Sequence, residues 1–236
     1  MTNLLRKRTQ PNDQEESQWL SISDLMAALM MVFLFIAVAL MRQAYIDNEK
    51  IREVAITYSE TQVAIHDALM REFESDLEHW DAKIDKDLTF NFQSPDVLFA
   101  TGSAQLTPNF QTLLENFFPR YLAVLKPFDK SISEVRIEGH TSSDWDNLAP
   151  TQAYFRNMVL SQERTRTVLE YAYGLDQVAL DQDWIKGNVA AVGFSSSRLK
   201  YIDDDPTLGE DVMSSKRVSF RVMTNADIQI KKILEM

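Results

Sequence analysis

The chain has 236 residues and a formal net charge of −11, and its one compact basic cluster ahead of the apolar run is Arg6, Lys7 and Arg8. That balance argues against a nucleic-acid-binding surface, which needs clustered lysine and arginine. Cysteine is absent and glycine occurs only six times, so there is no disulfide framework, thiol nucleophile or thiolate metal site, and neither G-x-G-x-x-G nor G-x-x-x-x-G-K-[ST] is present. With no metal, triad or phosphate motif, the sequence does not read as an enzyme.

In chain order, a tail (residues 1–18) precedes a long apolar run. From Leu25 to Met41 no side chain is charged or strongly polar. Counted from Trp19, the run has about 23 residues, or roughly 34 Å of helix, enough to cross a hydrocarbon core of about 30 Å. It is apolar on all sides, unlike an amphipathic surface helix. Trp19 stands where an interfacial aromatic belongs and Arg42 closes the run, which places the span at 19–41. The basic cluster before it predicts a cytoplasmic N-terminus, with everything after Met41 outside. No small-x-small cleavage site follows, so the run reads as an uncleaved anchor.

Asp24 lies about one turn inside the cytoplasmic end. One reading is a helix cap, with Ser21, Ser23 or Asp24 satisfying orphan N–H groups. The other is an ion path, because an ionisable group within a span is costly and tends to be functional.

Residues 42–87 read as a helical linker, with a plugging role left open. Val54, Tyr58, Ile65, Leu69, Phe73, Leu77 and Trp80 recur mostly at steps of three or four. The stripe from Ile65 to Leu77 suits either pairing in a dimer or packing on the following domain. His66 and His79 have no second ligand at metal spacing and read as surface or packing residues.

The remainder, residues 88–224 with a tail at 225–236, reads as an α+β domain. Residues 88–93 alternate as a strand does. Thr107 and Pro108 open a helix, with Pro119 and Pro127 complicating its later course. A strand at 133–140, a helix at 149–173, a short strand around 189–193 and a final strand at 217–223 complete a β-α-β-α-β-β order, with helices packed on one sheet. His140 reads as structural, since no nucleophile pairs with it. Arg217 suits either a binding groove or a fold ion pair. Asp203, Asp204 and Asp205 lack the spaced calcium-loop pattern and read as a solvated acidic turn.

Five motifs occur in order: V-L-F-A-T-G-S-A-Q-L-T-P from Val97, I-E-G-H-T from Ile137, N-M-V-L-S-Q-E-R-T-R-T-V from Asn157, V-G-F-S-S-S-R-L from Val192, and K-R-V-S-F-R-V from Lys216. Together they closely resemble the OmpA-like peptidoglycan-binding domain, over about residues 88–224. The span D-L-M-A-A-L-M-M-V-F-L-F from Asp24 is similar to that of the MotB family of stator subunits. The short chain, the G-H-T-S-S-D-W variant and the long segment before Leu160 look most like the ZorB branch, from Zorya anti-phage systems.

The resemblance implies a stator subunit of an ion-driven motor in the bacterial inner membrane, with a periplasmic C-terminal domain. Asp24 would carry H⁺ or Na⁺, with Ser21 and Ser23 as polar neighbours. It implies a homodimer working with a MotA/ZorA-like membrane subunit, five copies per dimer, and with peptidoglycan and the lipid bilayer as further partners. No resident cofactor and no nucleic acid are implied. Peptidoglycan binding is implied for Arg156, Asn157, Leu160, Arg164, Thr141, Asp144 and Arg217, with Arg164 engaging the diaminopimelate carboxylate. Asn157, Leu160 and Arg164 stand three and four apart, so one helix face presents all three. The family's Asp directly after G-H-T is Ser142 here, with Asp144 two residues on. A passive membrane-to-wall tether and a flagellar MotB are the alternatives.

Overall fold

A computed structural model describes residues 13–93, 98–100 and 102–225. The basic cluster Arg6 to Arg8, Val97 and Thr101 of the first motif, and the tail from 226 onward lie outside the described residues. The chain divides into two units, the first ending at Glu53 and the second beginning at Val54.

Helix α1 (Asp13–Leu77) carries the apolar run in the part that belongs to the first unit. Its stretch Ser21–Glu49 has 29 residues with a mean hydropathy of 2.5 and none of it is buried, so it is long and apolar enough to cross a membrane. The helix starts at Asp13, well before the serines. The segment D-Q-E-E-S-Q-W is rich in helix-forming Glu and Gln, and its acids suit a helix N-terminus. Ser21, Ser23 and Asp24 therefore sit in the helix interior, where backbone N–H groups already have partners one turn back. This corrects the capping reading.

The second unit is built on a five-stranded sheet in the order β1-β2-β5-β3-β4. Its strands are β1 (Ala82–Ile84), β2 (Thr89–Phe92), β3 (Ile132–His140), β4 (Val189–Ser195) and β5 (Arg217–Thr224). Only β3 and β4 run parallel; the other pairs are antiparallel. The expected order gains one strand, β1, three residues long. The helices are α2 (Pro108–Leu125), α3 (Pro150–Tyr173), α4 (Gln182–Asn188) and α5 (Val212–Ser215). Thr107 caps α2 by accepting from the Phe110 N–H at 3.2 Å, and Pro119 lies within that helix without ending it. Pro127 falls in the 3₁₀ turn that follows. This is the expected α+β class with helices against one sheet.

Alternation along the strands sorts their side chains to two faces. Phe90, Phe92, Val135, Ile137, Val218, Phe220 and Val222 enter the hydrophobic core. There Phe117 of α2 meets Phe90, Phe92 and Phe220 with ring centroids 4.7–5.0 Å apart. Ile65, Leu69 and Phe73 of α1 are fully buried in the same core, each such burial contributing about 1.5–3 kcal/mol. The stripe in the expected linker thus packs on the domain, and the compact unit starts at Val54 rather than at residue 88. Arg120 fastens it, donating to Glu72 at 2.7 Å and Asp76 at 2.9 Å. The opposite sheet face is polar, with Arg136 across from Arg221, Glu138 from Ser219, and His140 from Arg217.

Candidate functional site

The site forms where α3 crosses the C-terminal ends of β3 and β4. Two glycines make that crossing close. A Cβ at Gly139 would stand 2.7 Å from the Ser161 carbonyl oxygen, and one at Gly193 would stand 2.5 Å from the Gln162 nitrogen. Ser161 Oγ also accepts from the Ser195 N–H at 3.1 Å, and Ser195 Oγ donates to the Tyr154 carbonyl at 2.7 Å. The face of α3 that carries Asn157, Leu160 and Arg164 is thereby held against the loop leaving β3.

A cavity of about 310 Å³ opens there. Of the residues expected in a wall-binding site, Thr141, Asp144, Asn157, Leu160 and Arg164 all line it. Arg156 is exposed on α3 and Arg217 is buried, and neither is among the lining residues. The Arg217 guanidinium instead donates to the carbonyls of Ser214, Ser215 and Arg198 at 3.1–3.4 Å. Burial pulls its pKa down to about 10, with the Glu138 carboxylate opposing and Arg198 adding to the fall. Arg217 is therefore a strut beneath α5, which corrects its place in the binding set.

Further lining residues are Gly102, Ser142, Trp145, Asp146, Val212 and Lys216. Trp145 and Asp146 follow the G-H-T stretch in sequence, a signal present but not used. Val212 and Lys216 arrive from a distant segment with no local pattern to mark them.

Much of the hydrogen bonding at the site is spent on shaping it. Asn157, only 3% exposed, donates from Nδ2 to the carbonyls of Ser142 and Asp144, each at 3.1 Å. Ser143 donates from its N–H and hydroxyl to the Glu210 carboxylate. Arg164 donates from Nε to the Ser103 carbonyl at 2.9 Å and from Nη2 to the Ala100 carbonyl at 3.5 Å, and lies 4.7 Å over the Phe99 ring. Conversely, Thr141 Oγ1 is buried with no hydrogen-bond partner among the described residues. Asp144, Asp146 and Lys216 form no ion pair among them.

Behind Thr141, the His140 Nε2 lies 3.4 Å from Glu138 Oε2, which also accepts from Arg198 at 3.2 Å. Burial holds the His140 pKa below its ordinary value, opposed by the bond to Glu138 and reinforced by Arg217. Burial pushes the Glu138 carboxyl up, but His140, Arg198 and Arg221 together hold it below the ordinary range. A neutral His140 that donates through Nε2 leaves Nδ1 a bare acceptor, in keeping with its buried, partnerless position. His140 stacks on Phe194 at 5.4 Å, and the set is a fold brace, as expected for His140. In the acidic turn, the Asp205 carboxylate accepts from Thr207 N–H and hydroxyl at 2.8 Å and closes the turn locally.

No family model matches the chain. Among solved structures it is similar to a putative MotB-like protein from Desulfovibrio vulgaris, with 19% identity, 73% of this chain and 94% of that one covered, and a TM-score of 0.48. It is also similar to the cell wall anchor of the type VI secretion system (T6SS) from Pseudomonas aeruginosa, with 21% identity, 66% and 97% covered, and a TM-score of 0.46. Among curated proteins it is 50% identical over 237 residues to the Zorya protein ZorB of Escherichia coli, a match that covers all of both chains. Half of all positions shared from end to end establishes kinship: the chain belongs to the ZorB family.

Proposed function

We propose that this protein is the wall-anchored stator subunit of an ion-driven inner-membrane motor that serves anti-phage defence. Asp24 carries H⁺ or Na⁺, and Ser21 and Ser23, one turn or less away, are its polar neighbours. The observation that carries this reading is the position of Asp24. It is the sole charged residue between Ser21 and Met41 of a fully exposed apolar helix, and such groups mark ion paths. Moving one charge through 100 mV is worth about 2.3 kcal/mol, a bias of about fifty-fold between two states.

In this reading the N-terminus lies in the cytoplasm and the second unit in the periplasm. Two copies work with a ZorA-type membrane partner in five copies. The cavity at the ends of β3 and β4 takes the peptidoglycan stem peptide and keeps the dimer from turning, so that the partner ring moves. Asp144, with Asp146, stands in for the carboxylate missing at Ser142 and meets the ligand's ammonium. Support comes from the five expected residues that line one cavity and from Asp144 and Asp146 in that lining, which form no ion pair among the described residues.

The test is co-purification and retention. The full chain is expected to bring down a ZorA-type partner in about fivefold excess over the dimer, and to sediment with purified peptidoglycan. A passive tether would sediment with the wall but bring down no such partner.

A further inference from the structure

We propose that Glu210 is a positioning residue that aims the Asp144 carboxylate into the cavity. The inference rests on the reading of the cavity as the place where Asp144 meets the ammonium of the peptidoglycan stem peptide. Glu210 and Ser143 stand 67 residues apart in sequence. The Glu210 carboxylate nevertheless accepts from the Ser143 N–H, at 3.1 Å and 3.3 Å, and from the Ser143 hydroxyl. Hydrogen bonds to an ionised acceptor are stronger than those between neutral groups. Neither residue lines the cavity, so this clasp acts from behind the wall.

Each end of the clasp is anchored in turn. Asn157 of α3 holds the carbonyls of Ser142 and Asp144, so with Glu210 on Ser143 three successive residues are tied to distant side chains. The Asp144 side chain is exposed and forms no ion pair among the described residues, so the backbone of this loop sets its direction. At the other end, Glu210 is bridged to Tyr201 across an antiparallel pair. The Ile202 N–H donates to the Gly209 carbonyl at 3.2 Å and the Asp211 N–H to the Lys200 carbonyl at 2.9 Å. Asp211 then opens α5, accepting from the Met213 and Ser214 N–H groups at 3.1 Å. The segment behind Glu210 supplies Val212 and Lys216 to the same lining as Asp144. Among the described residues, no other side-chain hydrogen bond joins residues 141–149 to residues 199–216. One carboxylate therefore sets the spacing of the two walls and the aim of Asp144.

Two probes test this: the tripeptide L-Ala-γ-D-Glu-diaminopimelate, and the same tripeptide with 2-aminopimelate in the third place, which lacks only the free ammonium. Both are titrated by calorimetry into the full-length protein in detergent. Wild type is expected to prefer the ammonium-bearing peptide about tenfold, equivalent to about 1.4 kcal/mol. Glu210→Ala loses that preference by binding this peptide about tenfold more weakly while keeping wild-type affinity for the other, which also certifies its fold. Ser143→Ala, which removes the hydroxyl but leaves the N–H, loses about threefold. The double variant binds no more weakly than Glu210→Ala, because both changes break one clasp. If Glu210→Ala keeps the wild-type preference, or weakens both peptides alike, the inference falls while the wall-binding reading stands. Additive losses in the double variant overturn it as well, since Glu210 would then act other than through Ser143. If wild type binds neither probe, the wall-binding reading falls and takes the inference with it. If wild type binds both equally, the role of Asp144 falls, and the inference with it, while the cavity stays the wall-binding site.

Discussion

Asn157 Nδ2 donates to the Ser142 carbonyl at 3.1 Å, so a residue expected to touch ligand is committed to shaping the loop that leaves β3. Its second hydrogen goes to the Asp144 carbonyl. Asn157→Asp keeps the size but removes both donors and sets a carboxylate against two carbonyls. It is expected to cut retention on peptidoglycan at least tenfold and to lower stability by about 1–3 kcal/mol, read by sedimentation with purified sacculi and by denaturant titration.

The close crossing of α3 over the sheet makes a second prediction. A methyl group at Gly139 meets the Ser161 carbonyl and Thr165 Cγ2 at under 3 Å, and the first of these is backbone that cannot swing aside. Gly139→Ala should cost about 1–3 kcal/mol and lower the thermal midpoint. Gly187→Ala, where a Cβ meets nothing within 4 Å, is the matched control and should leave it nearly unchanged.

His140 sets the pH response. Its folded pKa is depressed from 6.5 by burial, so the stability gained by keeping it neutral is complete above about pH 6.5 and is lost as pH falls toward the folded value. Glu138 is also depressed, from 4.5, so its contribution starts to fall only below that pH. The window between pH 5 and 6.5 therefore reports His140. Unfolding free energy should fall there by up to about 1.4 kcal/mol per pH unit. His140→Asn should be less stable at pH 8 and flatter across the window. A wild-type profile without slope below pH 6.5 would contradict the assignment.

Phe73 tests where the domain begins. It is fully buried and meets Phe90 and Phe117 at 5.4 Å each. Phe73→Ala should cost about 3–5 kcal/mol, measured by denaturant titration. If residues 54–77 were only a linker, the change would be near zero.

The sequence made some of this legible and hid the rest for identifiable reasons. The strands at Thr89–Phe92 and Arg217–Thr224 alternate clearly because one face meets an aromatic core and the other does not. The strand Ala82–Ile84 is too short to show a period. The stripe Ile65, Leu69 and Phe73 was visible, but a helix stripe looks the same whether a second copy or its own domain covers it. The serines before Asp24 resembled a cap because they precede the apolar run, yet the polar residues upstream are good helix formers and carry α1 back to Asp13. Asn157, Leu160 and Arg164 are implied by the resemblance to the OmpA-like domain, and their spacing of three and four adds that one helix face presents all three. Lys216 as a lining residue was not, since its segment and the loop after β3 meet only in the folded chain.

The central claim is that Asp24 moves an ion, and flux measures it most directly. Wild type and Asp24→Asn, each co-expressed with the ZorA-type partner and reconstituted in vesicles, are compared for proton or sodium uptake under an imposed potential. The account predicts that the variant complex assembles with the same composition while its uptake falls to that of empty vesicles. Uptake equal to wild type from an intact Asp24→Asn complex would contradict it.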